Sequence, residues 1–279
     1  MLTDSHCHLD FSEFHHDRAI QLHQAFAAGV RRVVIPSIAR KHWQRTLQLN
    51  GEFCGVRLYP ALGLHPFFMA DHKADDVEML DQLLSRYPGQ IAAVGEIGLD
   101  FSKTKSPDKD GAESADEKAS VSKDEQLALF EAQLKVAQKH GLPVILHVVK
   151  AHDQTLKLLK QYPDLVGVVH AYSGSLSQAE QYVKQGFLIG VGGAITWPTA
   201  HKKRELFAQL PLESLVLETD APDMAPDGLK GQRNTPDQIA VIAEALAECR
   251  QESVKQIGRV TSANVERVLH LAEVCPLEF

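Results

Sequence analysis

Short apolar runs alternate with amphipathic stretches of helical period along the whole chain, and no other feature restricts the fold as much. The runs fall at residues 2–8, 32–35, 57–62, 91–95, 143–147, 166–170, 187–191 and 215–218. Each is too short for a stable helix and is bounded by turn-forming residues, so each reads as a buried strand. Residues 18–28, 75–87, 126–140 and 177–185 carry apolar side chains at helical spacing between them. Gly29, Gly141 and Gly186 stand where left-handed helix ends are wanted, and Pro143 and Pro211 stop helices ahead of the next strand. Such alternation implies a parallel sheet. An open doubly wound sheet and a closed barrel both fit it. Eight units followed by a final helical stretch favour an α/β fold of the (β/α)8 TIM-barrel type, with any site at the C-terminal ends of the strands. The expected organisation is one domain over residues 1–279.

One segment breaks the rhythm. Residues 102–125 have almost no large apolar side chain and mix both charge signs. Such a stretch buries too little surface to offset its ordering entropy, so a mobile loop insertion on the barrel rim is expected.

Composition narrows the function classes. With 29 Lys and Arg against 36 Asp and Glu the chain carries a net charge of −7. No broad basic field exists, which argues against a dedicated nucleic-acid scaffold but not against an enzyme that meets nucleic acid at one metal site. Cys7, Cys54, Cys249 and Cys275 are far apart and form no CxxC pair, the usage of a reduced intracellular chain. No apolar run approaches the roughly 18 residues of a membrane span, and MLTDSHCHLD is unlike a secretory signal. A cytoplasmic protein with no membrane partner and no obligatory protein partner is expected.

The chemistry is concentrated at strand ends. In Asp4-Ser5-His6-Cys7-His8 the period of two puts Asp4, His6 and His8 on one face. Two imidazoles facing a barrel axis are costly unless something binds them, and a divalent metal does so. Glu96 then ends the fourth run, His147 the fifth and His170 the sixth, while Asp220 follows the eighth. Hydrogen-bonded core histidines explain any one of these positions. They do not explain six ligand types converging on one barrel mouth. Six exceed what one four-coordinate zinc needs and suit two metals sharing a carboxylate. His65, in Gly63-Leu64-His65-Pro66, also faces the mouth and is read as a substrate contact. His42 reads as an exposed helix residue, and His140, in a last helical turn, as a partner of the helix dipole.

Taken in order, DSHCHLD, ALGLHP, VGEIGLDF, LPVILH, VVHAYSGS and LETDAPDM resemble the motif series of TatD-type metal-dependent hydrolases, members of the amidohydrolase-like barrels. GVGGAITWP and LETDAPDM are most similar to the YjjV-like branch. The resemblance implies a deoxyribonuclease, of the 3′-to-5′ exonuclease kind, with two divalent ions (Zn, Mn or Mg). It implies that His6, His8 and Asp220 hold one ion, His147 and His170 the other, and that Glu96 bridges them. DNA is the implied substrate, single strands or ends preferred. Asp220 is the implied proton acceptor for the attacking water, with Glu96 beside it in the catalytic pair. Two departures stand out. Val149 occupies the place, two residues after His147, where many members carry an arginine suited to a phosphate fork. Gly231-Gln232-Arg233-Asn234 matches the substrate loop only partly, so Arg233 and Asn234 are candidate phosphate contacts. Hydrolysis of a small ester, lactone, amide or aminoacyl bond is the alternative activity, and a non-catalytic metal-binding barrel a further alternative.

Overall fold

The structure, a computed structural model, describes residues 1–102 and 122–276. Its strands are β1 (Leu2–Asp4), β2 (Val30–Pro36), β3 (Gly51–Phe53), β4 (Val56–Leu62), β5 (Ala93–Asp100), β6 (Val144–Val149), β7 (Gly167–Val169), β8 (Phe187–Val191) and β9 (Leu215–Leu217). The helices are α1 (Arg18–Ala27), α2 (Arg40–Gln48), α3 (Asp76–Arg86), α4 (Lys123–His140), α5 (His152–Leu159), α6 (Leu176–Lys184), α7 (His201–Gln209), α8 (Ile239–Arg250) and α9 (Val254–Val268). Eight strands run parallel in the order β1-β2-β4-β5-β6-β7-β8-β9, the near-closed barrel that the alternation predicts. The extra strand β3 turns back on β4 through Cys54 and Gly55, both at positive φ (53° and 79°). That geometry is a two-residue hairpin of type I′, built without the usual Asn-Gly signal.

The barrel closes beyond the regular β1 ladder. Ser5 N–H donates to the Leu217 carbonyl (3.0 Å), and His8 N–H to that of Ala221 (2.8 Å). Asp4 completes the seam. Its carboxylate accepts from Thr219 N–H (3.0 Å), Thr219 Oγ1 (2.6 Å) and His6 N–H (3.2 Å). Asp4 is therefore bonded across the seam rather than standing with His6 and His8 at the mouth.

Side chains alternate as a closed barrel requires. Val34, Ala61, Ile145, Val168, Leu188 and Val216 share one buried cluster with Val265, Val268 and Leu269 of the C-terminal helical stretch. Their strand neighbours Val33, Leu62, Leu146, Val169, Ile189 and Leu217 belong to the larger core under the outer helices. Asn264 of α9 donates to the carbonyls of Leu212 (2.9 Å) and Leu215 (2.8 Å), at the start of β9. That fixes α9 against the N-terminal end of the barrel. The apolar floor and belt leave the C-terminal ends as the place where polar side chains gather.

Gly29, Gly141 and Gly186 all have positive φ (96°, 63° and 92°), as their helix-end positions require. The 102–125 insertion lies largely outside the described residues, but its end differs from expectation. Residues 123–125 already belong to α4, which Ser122 and Glu125 start with a reciprocal capping box (3.1 and 3.0 Å). Among the described residues no helix is long and apolar enough to cross a membrane.

Candidate metal centre

Glu96 organises the mouth. It sits within β5, not at its end, because that strand runs on to Asp100. The close approach of β4 makes this possible: a Cβ on Gly63 would fall 2.7 Å from the Glu96 carbonyl oxygen and 2.8 Å from its nitrogen. Only glycine fits there, which explains the Gly-Leu-His-Pro turn ahead of His65.

Each oxygen of Glu96 faces its own group of imidazoles. On one side, Oε2 lies 3.3 Å from His6 Nε2 and 3.5 Å from His8 Nε2. Asp220 Oδ1 lies 3.5 and 3.7 Å from the same two nitrogens, which are 3.3 Å apart. His6 Nε2, His8 Nε2 and Glu96 Oε2 lie within 3.5 Å of one another, close enough to share one ion at ordinary Zn–N and Zn–O distances, with Asp220 beside them. On the other side, Oε1 lies 3.0 Å from His65 Nε2, 3.0 Å from His147 Nδ1 and 2.9 Å from His170 Nε2. The donor set is imidazole and carboxylate throughout, which suits a divalent transition ion better than calcium.

The surrounding structure orients these rings. His8 Nδ1 pairs with the Pro36 carbonyl (3.0 Å) and its ring stacks on Phe11 at 4.5 Å. His147 Nε2 pairs with Asp100 Oδ2 (3.1 Å), and Asp100 Oδ1 accepts from Ser102. His6 and His170 stack at 3.9 Å, 15° from parallel. Such supporting partners fix the ring nitrogen that is left to bind an ion.

Electrostatics follow from this crowding. Burial works to raise the Glu96 carboxyl pKa, but His65, His170 and His6 outweigh it and hold it well below the usual range. Burial pulls His6 well down and His65 to about 4. His170 goes the other way: burial opposes it, yet the Glu96 carboxylate beside it raises it to about 10. Burial raises Asp220. The site thus holds an ionised carboxylate, with burial favouring the neutral form of His6 and His65 while Asp100 and Glu96 draw His147, and Glu96 draws His170, towards the charged form.

The six expected ligands, His6, His8, Glu96, His147, His170 and Asp220, all converge here. His65, expected as a substrate contact, lies with them, its Nε2 3.0 Å from Glu96 Oε1. Two other placements differ from expectation. Arg233 is paired with Asp17 (2.5 Å) and with the Glu13 carbonyl, tying its loop to α1. Asn234 is fully buried and clamps the carbonyls of Thr219 and Asp223, both at 2.8 Å. Its role is to hold the loop that presents Asp220, and no amide is left to meet phosphate. His42 is buried against Asp10 and Arg45 (3.5 and 2.6 Å). His140 ends α4 as expected and also pairs with Asp81 (2.6 Å).

Two residues at the centre were not anticipated. Asp100 lies four residues after Glu96 on the same strand, and Glu218 two before Asp220; the period of two was the signal available for both. Val149, half-buried and on the inward face with His147, lines an adjoining cavity of about 520 Å3 with Lys150, His152, Ser173 and Gly174.

The family profile of TatD-related DNases matches residues 3–270. The chain belongs to the TatD family. Within it, the Escherichia coli protein called uncharacterized metal-dependent hydrolase YjjV is 42% identical over 263 residues, covering 94% of this chain and 95% of its own. A Klebsiella pneumoniae TatD relative, named a 3′-5′ ssDNA/RNA exonuclease, is 30% identical over 95% of this chain and 96% of its own. The solved structure of E. coli YjjV superposes with a TM-score of 0.84 at 40% identity, covering 96% of this chain and 97% of that one. This TatD protein is accordingly a metal-dependent hydrolase, and its barrel is that of the solved TatD structures.

Proposed function

We propose that this TatD protein is a two-metal phosphodiesterase that shortens DNA from a 3′ end, acting in the cytoplasm as a single domain over residues 1–279. The observation that carries the reading is the division of Glu96, with Oε2 turned to His6 and His8 and Oε1 to His65, His147 and His170. One carboxylate shared between two ligand groups is the arrangement of a bridged pair. His6, His8 and Asp220 would hold one ion, His147 and His170 the other, with His65 completing the second group. Divalent ions there lower the pKa of a coordinated water and offset charge on the phosphate oxygens.

The chain's own residues do the rest. Asp220 offers Oδ1 to the ligand group and is more accessible than Glu96 or His6, with 15% of its side chain exposed against 3% and 0%. Its second oxygen, Oδ2, takes the proton of the attacking water as the new P–O bond forms. Glu96, anchored by β5, keeps the two groups at a fixed separation while the leaving oxygen departs on the opposite side of phosphorus. Three nearby cations are already engaged: Arg233 with Asp17, Lys203 with the Tyr172 carbonyl (2.8 Å) and Arg204 with that of Ile195 (2.9 Å). Few phosphates beyond the reacting one are therefore neutralised, and the salt slope of DNA binding corresponds to roughly one to three phosphates.

Val149 supports a second reading, because an aliphatic side chain beside His147 suits an acyl group better than a second phosphate. The same centre would attack the carbonyl of an ester, lactone or amide. The experiment strips the protein, reloads it with Mg2+, Mn2+ or Zn2+, and follows 3′- and 5′-labelled single-stranded DNA beside a panel of aryl esters and lactones. Stepwise 3′ shortening by the wild type, absent in Asp220→Asn, supports the nuclease. Intact DNA with turnover of an acyl substrate replaces it with the second reading.

A further inference from the structure

Behind the metal centre, on the side away from Glu96, three buried polar atoms are without a hydrogen-bond partner: His6 Nδ1, His170 Nδ1 and Glu218 Oε2. They belong to one cluster. A ligand-type atom of each residue lies within 4.8 Å of those of the other two, and Glu218 Oε1 stands 3.8 Å from His170 Nδ1. Glu218 is fully buried on β9's continuation, and Oε1 accepts from Ala171 N–H, directly after His170. The barrel makes room for this carboxylate. A Cβ on Gly190, in β8, would fall 2.6 Å from Oε2 and 2.7 Å from Oε1.

A buried carboxylate oxygen without a partner is expensive, and the position of Glu218 says what that arrangement is for. His6 and His170 both turn Nε2 towards Glu96, His6 at 3.3 Å and His170 at 2.9 Å. For both Nε2 atoms to offer a lone pair to an ion, both Nδ1 atoms must carry the proton. An imidazole that binds an ion through Nε2 keeps the Nδ1 proton most readily when an acceptor faces that nitrogen.

We infer that Glu218 is a positioning residue for the metal centre: standing 3.8 Å from His170 Nδ1, it is the acceptor that favours the Nδ1–H tautomer of that ring when Nε2 binds an ion. The effect falls on the ion position that His170 serves, beside Glu96 Oε1. This rests on the two-metal reading and adds a residue that never touches substrate. His8 and His147 have separate anchors, Pro36 and Asp100. The dependence on Glu218 is therefore confined to His170.

The decisive variant is Glu218→Gln, which keeps shape and replaces one acceptor oxygen by a donor that opposes Nδ1–H. Metal affinity is read by chelator competition with Mn2+ and Zn2+, ion number by elemental analysis, and tautomers by 15N histidine NMR of the wild type and the variant. The inference predicts affinity weakened about 10- to 100-fold. It also predicts loss of the Nδ1–H signature of His170, and a metal-free melting temperature equal to or above wild type. A merely structural glutamate would lower that melting temperature and leave the tautomer alone. Gly190→Ala, which crowds the carboxylate without removing it, should reproduce the weakened binding if the glutamine variant does not fold. Wild-type affinity and tautomer in Glu218→Gln overturn the inference while leaving the two-metal reading intact. Three ions per wild-type chain and two in the variant would also overturn it, by making Glu218 a ligand. A wild type that holds no divalent ion removes both.

Discussion

Truncating Asp4 to alanine should be among the most destabilising single changes available in this barrel. Asp4 is fully buried and its carboxylate accepts three hydrogen bonds, two of them from Thr219 across the seam between β1 and β9. Deletion leaves Thr219 N–H and its hydroxyl facing a void, and lengthens the one gap in the strand ladder. Burial raises the Asp4 carboxyl to about 8, so at pH 7 its bonds are largely neutral ones of about 0.5–1.5 kcal/mol each, and each buried Thr219 group left unpaired costs about 1–3 kcal/mol more. The net cost is about 3–5 kcal/mol, a large share of the roughly 5–15 kcal/mol that holds a domain folded. Asp4→Asn keeps an acceptor for the two N–H groups, and the Thr219 hydroxyl can reverse its role, so it should lose only about 1 kcal/mol. Urea unfolding followed by circular dichroism measures both. A double-mutant cycle with Thr219→Val should return a coupling of about 1–3 kcal/mol. An Asp4→Ala protein within 1 kcal/mol of wild type, or a coupling near zero, would show that the seam does not depend on this carboxylate.

Three further outcomes follow from the geometry. Ile145, inside the barrel with Val168 and Leu188, should cost about 3 kcal/mol as alanine, read as a lower urea midpoint at unchanged slope. Asp81 joins α3 to the end of α4 through Lys139 (2.6 Å) and His140 (2.6 Å), and Lys139 first, then His140, depress its carboxyl pKa. Its contribution, about 0.5 kcal/mol after solvent screening, is complete above the unfolded value of 3.8 and is lost as pH falls through the lower folded value. The stability gap between wild type and Asp81→Asn should therefore close in acid, and a gap that widens there would reverse the assignment. Val149→Arg should raise kcat/KM for DNA and lower it for acyl substrates, if the inward face beside His147 meets the group flanking the scissile bond.

Much of this was legible in the residue order because barrel strands alternate faces and end at one mouth. His147 and His170 close apolar runs, so their side chains had to reach the site once the fold was a barrel. Glu96 was legible as a ligand but not as a mid-strand residue, because the apolar run read from the sequence stops at residue 95 while β5 continues through Gly98 to Asp100. Asp4 was misplaced for a related reason. The period of two groups it with His6 and His8, but the β1 ladder ends at Asp4 and the seam to Thr219 claims its carboxylate. Arg233 and Asn234 could not be placed from local sequence, since Asp17 and the carbonyl of Thr219, their partners, lie 216 and 15 residues away. Glu218 carries no motif signal of its own. It becomes visible only when the unpaired Nδ1 of His170 is seen 3.8 Å from its carboxylate.

The most direct test of the account is a crystal structure of the Mn2+-loaded protein with anomalous scattering. The account predicts two peaks on either side of Glu96, about 3.5–4 Å apart, one within bonding distance of His6, His8 and Asp220 and the other of His147 and His170. A single peak, or two that do not share Glu96, would contradict it.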